Sequence, residues 1–262
     1  MIVQVKELSA KLRFTIFVGN PTLHTNLKQL IRREFSFKSK SKEKKMTFRQ
    51  FEIDDVMKEH YRLTRWTIAW LCLLLPFLSI LFGFIGVLQG YNPAGWYYSI
   101  SDTYYANSKA IMIGILSITA FYFATYKGYD IRDRIVNVLS AICAAGVALF
   151  PVRGVDGLIQ MPNVGGILHC VFALILYFTF FLNCVWLFRL GKSDTREKKI
   201  RNNIYLGCGI GIAVAAGVLI AGNVFNLKQY IPNFIWIVEV VAQIAYALAW
   251  FTKSGRLIKD KD

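Results

Sequence analysis

The sequence predicts an all-α, multi-pass membrane protein in which six transmembrane helices form a bundle and both termini lie in the cytoplasm. Hydrophobic residues make up 55% of the 262 residues, whereas a soluble domain has about 45–50%. They fall into blocks, and charged residues lie between the blocks. Each block has close to the roughly 20 apolar residues that a helix needs to cross a hydrocarbon core of about 30 Å.

The first 45 residues contain 11 Lys or Arg and only three acidic residues. Their polar, basic run from Lys38 to Lys45 predicts a disordered tail or an extended start, and anionic lipid headgroups are the alternative partner of these cations. No removable signal peptide is expected. Met46 follows the run and is an alternative start of the chain. Residues 46–65, in which apolar and charged residues mix, are expected to form an interfacial lead-in.

The six apolar blocks predict the six spans and leave residues 252–262 as a cytoplasmic tail. Kinks, caps and packing do not enter this assignment, which depends on length and hydropathy alone. The predicted spans are residues 66–88, 110–126, 135–151, 166–188, 204–222 and 231–251.

The distribution of basic residues predicts the orientation. Lys and Arg number 17 in the segments on the side of the termini and three on the opposite side, counting from residue 46. Cytoplasmic loops carry this excess, so the basic side is cytoplasmic and the membrane is expected to be the plasma membrane. The same asymmetry accounts for the net charge of +15 without nucleic acid as a partner.

Span five carries small residues at every fourth position, including Gly207, Gly211 and Ala215. Such a face allows close approach of another helix, so packing against a neighbouring span is expected. A homo-oligomer or a membrane partner on this face is the alternative. The five cysteines are odd in number and form no CxxC pair, which predicts buried thiols and neither a disulfide framework nor a zinc knuckle.

Glu239 is the first candidate site residue because an ionisable side chain within a span costs about 2.5–3.5 kcal/mol on insertion scales. Gln243 and Tyr246 follow at four and seven residues. The three share one helix face, which predicts a polar stripe directed into the bundle.

Further polar residues on the same side of the membrane predict an outward-facing pocket. The candidate catalytic residues are Asp102, His169 and Glu239, and the candidate ligand-binding residues are Ser99, Ser101, Arg153 and Gln243. Asp102, His169 and Glu239 can act as acid–base groups or, as an alternative, hold a divalent metal. No cofactor is expected. The other alternative is a structural network, with Arg153 paired to Asp102 or Asp156 and His169 bonded to Glu239.

The cytoplasmic loop between spans two and three contains Gly128 and Asp130. Gly128 suits the C-terminal cap of one helix and Asp130 the N-terminal cap of the next. A structural turn is therefore expected, with a docking loop for a partner as the alternative.

Several short stretches occur together: Ser99–Tyr105, Gly128-Tyr129-Asp130 with Asp133 and Asn137, and Ala148–Pro151 with His169. In these the chain resembles a family of uncharacterised polytopic membrane proteins classed as a domain of unknown function, over roughly residues 60–190. The resemblance implies a membrane fold and no particular activity.

A remote likeness to membrane hydrolases such as the alkaline ceramidases fails at the chemistry. Those enzymes hold zinc with Ser, Asp and three His, two of them one turn apart in a late span. The three histidines of this chain are His24, His60 and His169, and the first two precede the first span. The zinc is therefore not carried over.

The leading functional hypothesis is a membrane protein that binds a lipid or small ligand in the pocket. The first alternative is a lipid-modifying enzyme that uses Asp102, His169 and Glu239. The second is a small ion- or proton-coupled transporter in which Glu239 titrates. Against the transporter stands the apparent absence of a second buried charge in the spans.

Overall fold

The computed structural model describes residues 56–90, 98–128, 130–150, 152, 164–191 and 195–258. Residues 60–262 form one compact unit. Residues 1–59 form a second unit, of which 56–59 are described. The predicted extension 1–45, and residues 46–55 of the predicted lead-in, lie outside the described residues.

All regular structure in the described part of the chain is helical, as the sequence predicts. Short 3-10 helices connect longer α-helices. The α-helices are α1 (Val56–Leu88), α2 (Lys109–Thr125), α3 (Ile131–Leu149), α4 (Val164–Val185), α5 (Arg196–Val224) and α6 (Phe234–Lys253), and the 3-10 helices are Ser101–Tyr105, Leu187–Arg189 and Leu227–Gln229.

Each predicted span corresponds to one of these helices, but the helix ends differ. Helix α1 begins at Val56 and α5 at Arg196, where the sequence predicts 66 and 204. The reason is that hydropathy marks the apolar part of a helix, whereas backbone hydrogen bonding continues through polar residues. Thr195 sets the start of α5, because its hydroxyl accepts a hydrogen bond from the Lys198 N–H at 3.2 Å.

Among the described residues, four helices are long and apolar enough to cross a membrane. They are α1, α4 with the 3-10 turn that follows it, α5 and α6. Helix α2 is apolar but has only 17 residues, and α3 carries Arg132, Asp133 and Arg134 in its first turn. The all-α, membrane-type fold is therefore confirmed, but six spans are not, because four of the described helices meet the requirements of length and hydropathy.

The turn between α2 and α3 has the predicted N-terminal cap at Asp130, whereas the prediction of Gly128 as the C-terminal cap of α2 is wrong. The Asp130 carboxylate accepts hydrogen bonds from the N–H groups of Arg132 at 2.9 Å and Asp133 at 3.0 Å. The Asp133 N–H in particular lowers the pKa of Asp130. Helix α2 is capped by Tyr126, and Gly128 lies two residues further with φ of 63°. A Cβ at Gly128 would collide with the Asp133 side chain.

Consecutive helices pack against each other from α2 to α6, and α6 also contacts α4. Helix α1 packs on the C-terminal half of α6, since the rings of Trp66 and Trp70 lie 4.8 and 5.3 Å from the ring of Phe251. Helix α6 therefore contacts α1, α4 and α5, which places its inward face at the centre of the bundle.

Small residues of α5 meet neighbouring helices at some positions only. A Cβ at Gly209 would collide with Val185 of α4, and one at Gly222 with Phe234 of α6. Gly207 and Gly217 meet nothing within 4 Å. On the predicted face, packing against a neighbouring span is confirmed at Gly211, where an added Cβ would lie 3.8 Å from Ala245 of α6, but not at Gly207.

Candidate functional site

The segment 98–105, which precedes α2, is stabilised by hydrogen bonds of its own short polar side chains. Ser99 and Asp102 bond reciprocally: the Asp102 N–H donates to Ser99 Oγ, and the Ser99 hydroxyl donates to Asp102 Oδ2, each at 3.0 Å. The Thr103 hydroxyl donates to the carbonyl of Ile100. These side chains stabilise the 3-10 helix Ser101–Tyr105, since they satisfy backbone groups that so short a helix leaves open.

Two hydrogen bonds join this segment to the first turns of α6. The Ile100 N–H donates to Glu239 Oε2 at 2.7 Å, and the Trp236 N–H donates to the carbonyl of Tyr98 at 3.0 Å. The second bond satisfies one of the N–H groups that every helix leaves open at its start. The Glu239 carboxylate thus accepts one backbone hydrogen bond, which offsets part of the cost of placing it inside the bundle.

His169 joins the same segment to α4. Its Nδ1 lies 2.7 Å from the carbonyl oxygen of Phe150, and its Nε2 lies 2.8 Å from Ser101 Oγ. A carbonyl only accepts, so Nδ1 carries the proton. In the neutral imidazole, Nε2 is then an acceptor, and the Ser101 hydroxyl donates to it. The side chain is 4% exposed.

A small cavity of about 40 Å³ lies where the segment, α6 and α4 meet. Its lining combines polar side chains from the segment, α4 and α6 with apolar side chains. Its lining comprises Leu75, Ile100, Ser101, Met112, Leu116, Val147, Ala173, Leu176, Tyr177, Glu239 and Gln243. A cavity needs about 10–15 Å³ to hold one water molecule, so this one accommodates a small cation or a few water molecules and excludes a lipid chain.

Gln243 contributes an open hydrogen-bond acceptor to the cavity. The residue is 7% exposed, and its Oε1 atom has no hydrogen-bond partner among the described residues. An unsatisfied buried acceptor costs about 1–3 kcal/mol. With the Glu239 carboxylate beside it, the cavity wall presents two acceptor groups, an arrangement that attracts a hydrogen-bond donor or a cation.

The structure brings most of the predicted pocket residues together. Ser101, Glu239 and Gln243 line the cavity, and His169 contacts Ser101. Ser99 and Asp102 lie next to Ser101 and bond to each other. Arg153, and with it the predicted pair with Asp102 or Asp156, lies outside the described residues.

One predicted contact is wrong in its partners. The alternative of a structural network has His169 bonded to Glu239, but His169 bonds to Ser101 and to the Phe150 carbonyl, while Glu239 accepts from Ile100. The physical reason is that backbone groups at the end of α3 and in the 98–100 segment lie within reach of both side chains. Backbone positions of this kind are absent from a pattern of side chains.

The alternative of a metal site at Asp102, His169 and Glu239 is not supported by the geometry. Within the described ranges, no three His, Cys, Asp or Glu side chains are grouped so that they can hold a metal ion. In addition, both ring nitrogens of His169 already have hydrogen-bond partners. Asp102, His169 and Glu239 therefore do not form a coordination sphere in this arrangement.

Sequence reasoning missed a second group of buried polar residues at the other end of the bundle. Asp133 is fully buried and Lys253 is 7% exposed. Asp133 also attracts Lys253 electrostatically. Both residues lie two positions outside the predicted spans 135–151 and 231–251, so an argument restricted to the spans did not include them. The available signal was the spacing of Tyr246 and Lys253, seven residues apart on the face of α6 that carries Glu239.

Comparisons with known proteins leave the site as the source of any functional argument. No protein-family model, curated protein or solved structure matches this chain. The resemblance to a family of polytopic membrane proteins stays a prediction. Function is therefore inferred from the cavity and from the groups around it.

Proposed function

We propose that this protein is a six-span protein of the plasma membrane, with both termini in the cytoplasm, that binds a small cation or hydrogen-bond donor in an outward-facing cavity at Glu239. The excess of Lys and Arg on one side supports the orientation. Helices α2 and α3 pack against each other and would complete the six spans as a pair of short crossings.

The observation that carries the proposal is that Glu239 and Gln243 both line the cavity, one turn apart on α6. Gln243 Oε1 has no partner in the described part of the chain, and the Glu239 carboxylate accepts from the Ile100 N–H. Ionisable side chains inside a membrane bundle normally mark an ion or substrate site. A cavity of about 40 Å³ favours a ligand of water-like size over a lipid.

The test is thermal unfolding of the detergent-solubilised full chain in chloride salts of sodium, potassium or ammonium, with choline as the reference cation. Choline is too large for the cavity. A ligand that binds only the folded state raises the unfolding temperature as its concentration rises. We expect one small cation to do so at constant ionic strength, and Glu239→Gln to remove the rise, because the amide has no charge.

Glu197→Gln is the matched control. Glu197 lies in the first turn of α5 and is not part of the cavity lining, so the cation-dependent rise should survive this change. If choline stabilises the protein as well as the small cations do, or if Glu239→Gln keeps the rise, the proposal is wrong.

A membrane enzyme is the second candidate, and one observation favours it. Ser101 Oγ lies 2.8 Å from His169 Nε2, while His169 Nδ1 is held by the Phe150 carbonyl. This is the arrangement of a serine nucleophile, its general base and a group that orients the base. The candidate predicts acylation of Ser101, with its proton taken by His169.

A fluorophosphonate probe tests this second candidate directly, because such probes form a covalent bond with an activated serine. Ser101→Ala would abolish labelling, whereas Ser99→Ala would retain it, since Ser99 bonds to Asp102 and not to a histidine. Absence of labelling in the folded wild-type protein would reject the enzyme.

A further inference from the structure

Polar side chains continue from the cavity along one face of α6. Glu239, Gln243 and Tyr246 occupy successive turns of this face, and side chains three or four residues apart on a helix are neighbours at about 5–6 Å. Gln243 is 7% exposed and Tyr246 is fully buried. The face is therefore directed into the bundle along its length, away from the lipid.

From Tyr246 the polar groups cross to α4 and then to α3. The Asn183 Nδ2 donates to the Tyr246 hydroxyl oxygen at 2.9 Å. Thr179 lies one turn from Asn183 on α4, and the Ser140 hydroxyl of α3 lies 2.8 Å from the Thr179 hydroxyl. Asn183, Thr179 and Ser140 each have 0% exposure.

On α3 the polar groups continue to the helix end. Asn137 lies one turn from Ser140, and Asp133 one turn beyond Asn137. The Asn137 Nδ2 donates to the Asp133 carbonyl at 2.7 Å, and both residues have 0% exposure. Each step from Glu239 to Asp133 is thus either a hydrogen bond between helices or one turn along a helix.

These eight side chains have spare acceptors inside the bundle. Among the described residues, the amide oxygens of Gln243, Asn183 and Asn137 have no hydrogen-bond partner. Interhelical hydrogen bonds alone explain why polar groups pair between helices. The three open amide oxygens are in addition places where a water molecule or a hydrated proton can donate a hydrogen bond.

We infer that the side chains from Glu239 to Asp133 form a path along which a proton crosses the bundle. This inference rests on the proposed function, because it takes the hydrated proton as a further cation that the Glu239 site accepts. The Glu239 carboxylate takes the proton from the outer side and the Asp133 carboxylate releases it on the cytoplasmic side. One proton and one positive charge cross in each passage, so a counter-ion must move for flux to continue.

Titratable groups surround both ends of the path from Glu239 to Asp133. Around Glu239 they are Asp102 from the 3-10 helix and His169 and Tyr177 from α4, and Cys72 of α1 lies near Tyr177. The parts of α2 and α3 that line the cavity are apolar.

Near Asp133 lies Lys253 of α6, which is itself surrounded by cations from two further helices, α1 and α5. Lys253 of α6 is attracted by Asp133, and Arg65, Lys198 and Arg201 also act on Lys253 electrostatically. The Arg65 Nη1 donates to the Lys253 carbonyl at 3.2 Å. Asp133 therefore lies at the basic, cytoplasmic end of the path.

The experiment uses the full-length protein in liposomes that enclose the pH-sensitive dye pyranine. A potassium gradient with valinomycin sets the membrane potential and supplies the counter-ion. The wild-type protein should acidify the lumen faster than protein-free liposomes. Tyr246→Phe, which keeps the ring that stacks on Phe180 at 3.7 Å but removes the hydroxyl, should reduce the rate to the protein-free level, and so should Glu239→Gln.

Tyr230→Phe is the matched control, because Tyr230 is 78% exposed and lies off the path. Its flux should equal that of the wild type. Thermal unfolding of each reconstituted variant verifies that it is folded, and if Tyr246→Phe does not fold, Ser140→Ala interrupts the other contact between helices.

Three outcomes would overturn the inference. The first is a folded wild-type protein without proton flux. The second is flux that survives removal of the Tyr246 hydroxyl. The third is a flux of sodium or potassium without a pyranine response. In each of these cases, a cation that binds at Glu239 can still stabilise the protein against thermal unfolding. The proposed binding function is therefore tested separately.

Discussion

At the scale of single residues, the fold depends on a few backbone positions that no hydrophobic pattern reports. Gly128 is one, since it has a positive φ of 63° and lies against the Asp133 side chain. His169 is another, because its position depends on the Phe150 carbonyl, 19 residues earlier in the chain. Both positions connect a helix end to a buried polar group.

Gly128→Ala should lower the free energy of unfolding by about 1–3 kcal/mol, since left-handed backbone strain adds to the collision with Asp133. Denaturant unfolding in mild detergent measures the change. Gly191→Ala is the control. Gly191 also has a positive φ, of 98°, but no atom lies within 4 Å of the added Cβ. Equal effects of the two substitutions would show that the collision contributes nothing.

Asp130 predicts a dependence of stability on pH. Its pKa is lowered in the folded protein, chiefly by the hydrogen bond from the Asp133 N–H and also by Arg132, whose Nε lies 3.0 Å from Asp130 Oδ2. A carboxyl with a lowered folded pKa stabilises fully above its unfolded pKa of about 3.9. That stabilisation is lost as the pH falls through the folded pKa.

The measurement is the thermal midpoint against pH for the wild type and for Asp130→Asn. Asparagine keeps the helix cap but does not titrate. The wild-type advantage should be present above about pH 4 and shrink below it. An advantage that grows as the pH falls would contradict the assigned direction.

At the scale of helices, hydropathy and helical periodicity predict a large part of the structure. Both depend on side-chain polarity and on 3.6 residues per turn, so they indicate the six helices and the shared face of Glu239, Gln243 and Tyr246. They give no information on which helices meet. The contact between Asn183 and Tyr246, and that between Ser140 and Thr179, arise from tertiary packing between separate segments.

The glycines of α5 allow a test of helix packing. Gly222→Ala should destabilise the protein, because the added methyl would collide with the Phe234 ring. Gly217→Ala meets nothing within 4 Å, and alanine is favoured over glycine in a helix by about 0.8–1.0 kcal/mol. Thermal unfolding of both variants should therefore shift in opposite directions. Shifts of the same sign would mean that α5 packs differently from the described arrangement.

At the scale of the whole molecule, membrane orientation decides which side the cavity faces. If α2 and α3 both cross, the loop at Lys127 is cytoplasmic. If neither crosses, that loop lies on the outer side, while α1, α4, α5 and α6 keep their orientation. The six-span proposal and the four helices that meet the length requirement therefore differ at one loop.

Labelling of Lys127→Cys with a membrane-impermeant maleimide distinguishes these cases. In intact cells we expect no labelling above the wild-type background of five native cysteines, and in inside-out vesicles we expect labelling. Lys228→Cys, between α5 and α6, should show the reverse. Labelling of both positions in intact cells would reduce the number of spans to four.

The segment from Tyr98 to Tyr105 is fastened at two points to different helices, to α6 through Glu239 and Trp236 and to α4 through His169. The segment therefore bridges α6 and α4 beside the cavity, to whose lining it contributes Ile100 and Ser101. A tilt of α6 relative to α4 would have to break one fastening, and each consists of one or two hydrogen bonds. Tilting of α6 relative to α4 is therefore resisted by the hydrogen bonds at both ends of the segment.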